Sequence, residues 1–124
     1  MTVRLFVAAL LVAAPLASSA EAAGNAAAGA AVFERCAICH SNSKGAPAKI
    51  GPNLFGIVGR KAATQADFSY STALKTSGIV WSADKLDAWI ASPGTLVPGN
   101  RMAFAGIASA QDRANLVAYL ATLK

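Results

Sequence analysis

The sequence predicts an all-α domain, and three observations carry that prediction. Each end holds an apolar stripe of helical period behind a capping residue, no run alternates cleanly enough to argue for a sheet, and Gly and Pro punctuate the stretch between. At 124 residues there is room for one core and no second of ordinary size, which excludes multidomain enzymes and long repeat arrays. Hydrophobic residues make up 55% of the chain, but 30 of them are Ala, and only five Phe, two Trp and two Tyr supply large rings. Such a core is thin, and small domains commonly need a disulfide, a metal or a bound group as a staple. A non-polypeptide group at the centre fits this composition.

In chain order, residues 1–4 are short and basic, residues 5–16 are almost wholly apolar, and Ser18, Ala20 and Ala22 supply small side chains. This reads as a signal peptide over residues 1–22, cleaved near 20 to 23, leaving a domain over 23–124. About twelve apolar residues interrupted by Pro15 are too few for a membrane span of about 20, so no stable membrane insertion is expected after cleavage. The expected location is the periplasm, and the mature chain stays basic. Asn25 caps a helix from Ala26 to about Cys36, on which Gly29 and Phe33 share a face. Residues 40–67 carry Gly45, Pro47, Gly51, Pro52, Gly56 and Gly59, and read as loops that wrap a buried group with Ile50, Leu54, Phe55 and Ile57. A short turn is expected around residues 71–75. A middle helix begins near Ser82 and presents Leu86, Trp89 and Ile90 before Pro93. Two Pro-Gly pairs in residues 92–104 forbid helix and dictate a shaped loop. Ser109 and Asp112 open a final helix to Leu123, with Leu116, Tyr119, Leu120 and Leu123 on one stripe. A glycine lets helices cross closely, so the terminal helices are expected to cross at Gly29, with Phe33 against Leu116 and Tyr119.

Both cysteines and the only histidine fall in five residues, Cys36-Ala37-Ile38-Cys39-His40. Cys-x-x-Cys-His is the attachment signature of a c-type haem. At a helix end, cysteines three apart share a face, so both thiols can add to the vinyl groups of one porphyrin while the next imidazole reaches the iron. Three alternatives compete. Zinc wants four ligands and would need a recruited carboxylate. A thioredoxin-like thiol oxidase needs a βαβ framework that the pattern lacks. A structural disulfide explains neither the histidine nor the thin core. If haem binds, the second axial ligand follows by subtraction: no second His or Cys remains, and cleavage removes Met1, leaving Met102. An open sixth position or a lysine are the rivals. His/Met ligation favours ferrous iron and leaves no site for bond-making chemistry, which implies outer-sphere electron transfer and no catalytic residues.

The residues now carry a family resemblance. The mature chain is similar, along almost its whole length, to class I c-type cytochromes of the bacterial branch that resembles mitochondrial cytochrome c. Beyond the haem motif, the segments that carry it are Gly51-Pro52-Asn53-Leu54, Gly59-Arg60-Lys61, Phe68-Ser69-Tyr70-Ser71, Gly78-Ile79-Val80-Trp81, residues 98–104 and Leu116-Val117-Ala118-Tyr119-Leu120. The resemblance implies the class I cytochrome c fold, with N- and C-terminal helices crossing and loops wrapping one haem c held by two thioethers. It implies that the Pro52 carbonyl orients His40, that Arg60, Tyr70 and Trp81 hydrogen-bond haem propionates, and that Phe104 covers the haem edge. Trp89 stands where the family often has a tyrosine near the methionine sulfur, and an indole donates but cannot accept.

The partners implied are redox proteins with acidic docking surfaces, in a respiratory chain; a net charge of this size without a Lys/Arg cluster does not indicate nucleic acid. The expected state is a monomer. Much of the lysine ring of mitochondrial-type proteins is missing, and Arg35, Lys44, Lys49 and Arg101 would form a reduced rim. The function that follows is a soluble periplasmic one-electron carrier between a quinol-oxidising complex or dehydrogenase and a terminal oxidase, peroxidase or photosynthetic reaction centre. The competing function is a haem-based ligand-binding or peroxidase-like protein with a displaceable Met102.

Overall fold

Five helices form among the described residues, four of them behind a side-chain cap. The computed structural model describes residues 23–124, so the expected signal peptide lies outside the described residues. Helix α1 spans Ala26–Ala37; the Asn25 side chain accepts the Ala28 N–H at 3.0 Å, and Arg35 sits in its last turn, where the helix dipole favours a cation. Helix α2, Thr72–Lys75, is one turn capped by Ser71, and α3, Ala83–Ala91, is capped by Ser82 and buries Leu86 and Ile90. Helix α4 is Pro93–Leu96, and α5, Ala110–Ala121, starts where Ser109 Oγ accepts the Asp112 N–H at 3.1 Å.

Helices α1 and α5 cross with almost no space between their backbones. A Cβ on Gly29 would stand 1.9 Å from the Asn115 carbonyl oxygen and 2.8 Å from the Tyr119 Cβ, so the crossing needs glycine there. The Phe33 and Tyr119 rings meet at 5.2 Å, tilted by 50°, and Phe33 shares the buried core with Leu116. The expected crossing is therefore present. Asn115 adds a contact that the apolar stripe does not signal: its side-chain oxygen accepts the Asn25 N–H at 2.8 Å, so a buried polar residue of α5 helps start α1. Among the described residues there is no strand, only an isolated antiparallel bridge between Lys61 and Val80. It is flanked by backbone bonds from Gly59 to Trp81 and from Trp81 to Arg60, which hold Arg60 beside Trp81.

Three local expectations need correction. Residues 92–104 are not free of helix, because Pro93 occupies the first turn of α4, where its missing N–H has no helical partner to lose. The last helix ends at Ala121, and Thr122 closes it by donating to Tyr119 and Leu120 carbonyls. Phe55 does not border the central cavity but a more open hollow with Pro47 and Asp67, on a loop where its N–H is held by the Asn53 side-chain oxygen at 2.9 Å.

Candidate functional site

The core does not close at its centre. A cavity of about 720 Å³ lies between α1, α3, α5 and the loops, well within the size that holds a small-molecule group. Cys36, Cys39, His40, Pro52, Arg60, Tyr70, Trp81, Met102 and Phe104 all border it. Residues spread over 69 sequence positions thus meet around one cavity, although only Cys39 and His40 are adjacent in sequence.

The motif sits where α1 unwinds. The N–H groups of Cys39 and His40 both return to the Cys36 carbonyl, at 3.0 and 2.8 Å, which turns the chain tightly after the helix. The segment 51–54 folds against that turn: Gly51 donates to the Cys39 carbonyl at 2.8 Å, and Leu54 to Ser41 at 2.9 Å. Within this frame His40 Nδ1 lies 2.7 Å from the Pro52 carbonyl oxygen. A carbonyl can only accept, so Nδ1 carries the proton and Nε2 keeps its lone pair. Burial pushes the His40 pKa down, against the pull of the Pro52 carbonyl and with the help of nearby Lys49, which favours the neutral, ligating form. Both thiols are free, and burial raises the Cys36 pKa, opposed by Arg35 and reinforced by Cys39.

Gly51 also belongs to the site, although its place in the motif spacing does not mark it. A Cβ there would stand 2.4 Å from His40 Cε1 and 2.7 Å from Nδ1, so the imidazole lies directly on the glycine backbone. The Gly-Pro pair was its visible trace in the sequence. Asn53 is the second such residue: buried, it donates to the Ser43 and Ala46 carbonyls and accepts the Phe55 N–H, tying the loop on one side of the histidine. Asn100 does the same for Met102, since its side chain donates to the Val97 carbonyl and accepts the Met102 N–H, each at 2.9 Å.

The polar residues of the wall have partners of their own. Arg60 donates to the Asn53 and Phe55 carbonyls, both at 3.0 Å; burial lowers its pKa and Tyr70 opposes that. The Tyr70 hydroxyl accepts the Gln65 N–H at 3.2 Å, and burial is the main cause that raises its pKa. Trp81 is buried and meets Trp89 edge-on at 5.2 Å; both indoles border the cavity. Ile50 stands at the rim, 77% exposed, and not flat against the interior as its apolar character suggests. Of the four rim cations, Arg35 and Arg101 border the cavity and Lys49 donates to the nearby Ala37 carbonyl, whereas Lys44 is exposed and does not border it.

Chemically, the cavity offers two thiols, an imidazole nitrogen with a free lone pair and a thioether in apolar surroundings. Cys36, Cys39 and His40 do not gather with any carboxylate, or with one another, as a three-ligand metal group among the described residues. No βαβ unit is present there either, so the thioredoxin-like framework is missing. No described helix is long and apolar enough to cross a membrane.

The family model described as Cytochrome c matches residues 26–124. A cytochrome c of Theileria annulata is 49% identical over 98 residues, covering 78% of this chain and 84% of that protein. A cytochrome c2 of Agrobacterium tumefaciens (strain II Chrys) is 43% identical over 100 residues, covering 78% and 90%. Among solved structures, cytochrome cH from Methylobacterium extorquens superposes with a TM-score of 0.75 at 41% identity, covering 80% of this chain and 99% of that one.

Proposed function

The chain belongs to the cytochrome c family, and from that premise we propose a periplasmic electron carrier whose one haem c is held by Cys36 and Cys39 and ligated by His40 and Met102. That it is a monohaem class I c-type cytochrome, an electron carrier rather than an enzyme, follows from the family itself. The observation that carries the finer reading is the convergence of all four donor side chains on one cavity, with His40 Nδ1 already committed to Pro52. The donor set fits the group: two thiols suit two thioether bonds, and an imidazole nitrogen and a thioether sulfur are both donors that would hold haem iron. When bound, haem c supplies a reversible one-electron couple.

The chain's own residues then do the following. The Pro52 carbonyl holds the His40 proton on Nδ1 and makes the imidazole a stronger donor through Nε2. Asn100 fixes the backbone that presents Met102. Arg60, Tyr70 and Trp81 border the cavity and are donors that suit buried propionates, whose desolvation without donors is costly. Phe104, half-buried at the cavity wall, screens the haem edge from water. Residues 1–22 direct export and are removed. Partners are redox proteins with acidic docking surfaces, met by a rim of which Arg35 and Arg101 border the cavity and Lys49 is held at the Ala37 carbonyl.

The rival reading, a ligand-binding or peroxidase-like protein, requires Met102 to leave easily. Carbon monoxide added to the reduced mature protein at neutral pH separates the two. An unchanged spectrum supports the carrier, and a prompt spectral change supports the ligand-binding protein.

A further inference from the structure

The Met102 segment is fixed unevenly. Before the methionine it is tied by Asn100, and Arg101 donates to the Ser69 carbonyl at 2.8 Å. After it, residues 103–105 carry only the Phe104 bond back to the Met102 carbonyl. The chain is caught again at 106–108. Gly106, with φ +109°, lies so close to the end of α3 that a Cβ would stand 2.1 Å from the Ala91 carbonyl oxygen, and Ile107 donates to Ile90 at 2.9 Å. One side chain then closes the arrangement. Arg113 Nη1 donates to both the Ile107 and Ala108 carbonyls at 2.9 Å, while its Nε pairs with Asp87 at 2.8 Å.

We propose that Arg113 is a positioning residue that clamps the far end of the Met102 segment to α3 and α5, and so sets how readily the thioether leaves the iron. It touches neither the cavity nor Met102. It acts through the backbone that must move if Met102 is to swing out. The inference rests on Met102 being the axial ligand. Three features make the clamp strong for its place. The Arg113 side chain is only 16% exposed, so its bonds are poorly screened, while Asp87 at 49% retains water and avoids the full cost of burying an ion pair. The bonds to Ile107 and Ala108 are charge-assisted and stronger than neutral ones. Asp87 lies on α3, the helix that also presents Trp89 and Ile90 to the cavity, so the clamp joins the methionine segment to a wall of the site. Opening of such a segment is a local event, with its own free energy below that of global unfolding.

The test uses the mature ferric holoprotein and imidazole as the probe, because at saturation the binding rate equals the rate at which the methionine side opens. Arg113→Ala removes charge-assisted bonds and is expected to raise that limiting rate by about tenfold or more. Asp87→Asn, which weakens only the pairing of Nε, should give a smaller rise, and Arg113→Lys should recover part of the wild-type rate. Asn25→Ala serves as the control, since it destabilises the fold at the α1 cap, remote from Met102. At a matched loss of global stability it should leave the limiting rate within about twofold. If Arg113→Ala does not yield folded protein, Asp87→Asn and Arg113→Lys against the same control decide the question. Equal rate increases in the clamp and control variants, or unchanged rates in the clamp variants, overturn the proposal. The sulfur-to-iron charge-transfer band of the wild-type protein is read first: its presence establishes the ligand that the clamp serves, and its absence removes the Met102 reading and the clamp with it.

Discussion

Gly51→Ala should disturb the histidine side of the site without touching a donor atom. The added methyl would stand 2.4 Å from His40 Cε1, and ordinary contacts begin near 3.4 Å, so the ring or the loop must recede by about 1 Å. Taken along the bond to Pro52, a shift of that size stretches 2.7 Å beyond the range of a good N–H···O bond. Overpacking of this kind costs about 1–3 kcal/mol. The lost hydrogen bond adds about 1 kcal/mol. Ala in place of Gly restricts the unfolded chain and returns about 0.4–1 kcal/mol, which leaves a net loss of about 1–3 kcal/mol. Gly51 has no positive φ, so the effect is steric and not a matter of backbone strain. The assay is denaturant unfolding of the holoprotein, read at the haem band, together with the midpoint potential. Weaker donation through Nε2 should also raise the potential, because a less basic imidazole stabilises ferric iron less. Pro52→Ala is the comparison: it keeps the backbone carbonyl and should cost less than Gly51→Ala. Unchanged stability and potential in Gly51→Ala would show that the ring does not rest on this glycine.

Other perturbations separate the roles of neighbouring residues. Met102→Ala should keep haem covalently attached, lower the midpoint potential and admit carbon monoxide to the reduced protein, as followed by visible spectra. Gly29→Ala improves helix propensity, yet should lower unfolding stability by about 1–3 kcal/mol, because the methyl meets the Asn115 backbone at 1.9 Å; the visible spectrum should stay unchanged. Tyr70 has a raised folded pKa, so its stabilising contribution is complete below its unfolded value near 10 and is lost as pH rises through the folded value. Thermal melts of Tyr70→Phe should therefore lack that part of the alkaline loss. The electron-transfer rate with a protein partner should fall only mildly with salt, given the sparse rim; a steep fall contradicts the sparse-rim expectation.

Much of this site was legible in the sequence because its chemistry uses rare residues. Two cysteines and one histidine in five positions, and one methionine left in the domain, are the candidate donors on rarity alone, and all four border one cavity. The terminal crossing was legible for a similar reason: Gly29, Phe33 and the α5 stripe obey helical spacing. What stayed hidden depends on backbone approach and on polar residues in loops, neither of which leaves a period. Gly51 looks like a turn glycine until the His40 ring is placed on it. Asn53 and Asn100 look like ordinary loop residues, and each fixes a loop, beside His40 and before Met102 respectively, through backbone partners. Asn115 interrupts an apolar stripe because it bonds across the crossing to Asn25. Phe55 differs in the opposite sense: its apolar character suggests the interior, and it borders the outer hollow beside Pro47 and Asp67.

A visible-region redox titration of the mature holoprotein reads in one experiment whether Cys36, Cys39, His40 and Met102 together hold one haem as a one-electron couple. A single transition with a slope of about 59 mV per decade is expected, with the sulfur-to-iron charge-transfer band present in the oxidised form and lost on reduction. A protein without haem absorption, whose only couple is the Cys36/Cys39 dithiol with a slope of about 30 mV per decade, would contradict it.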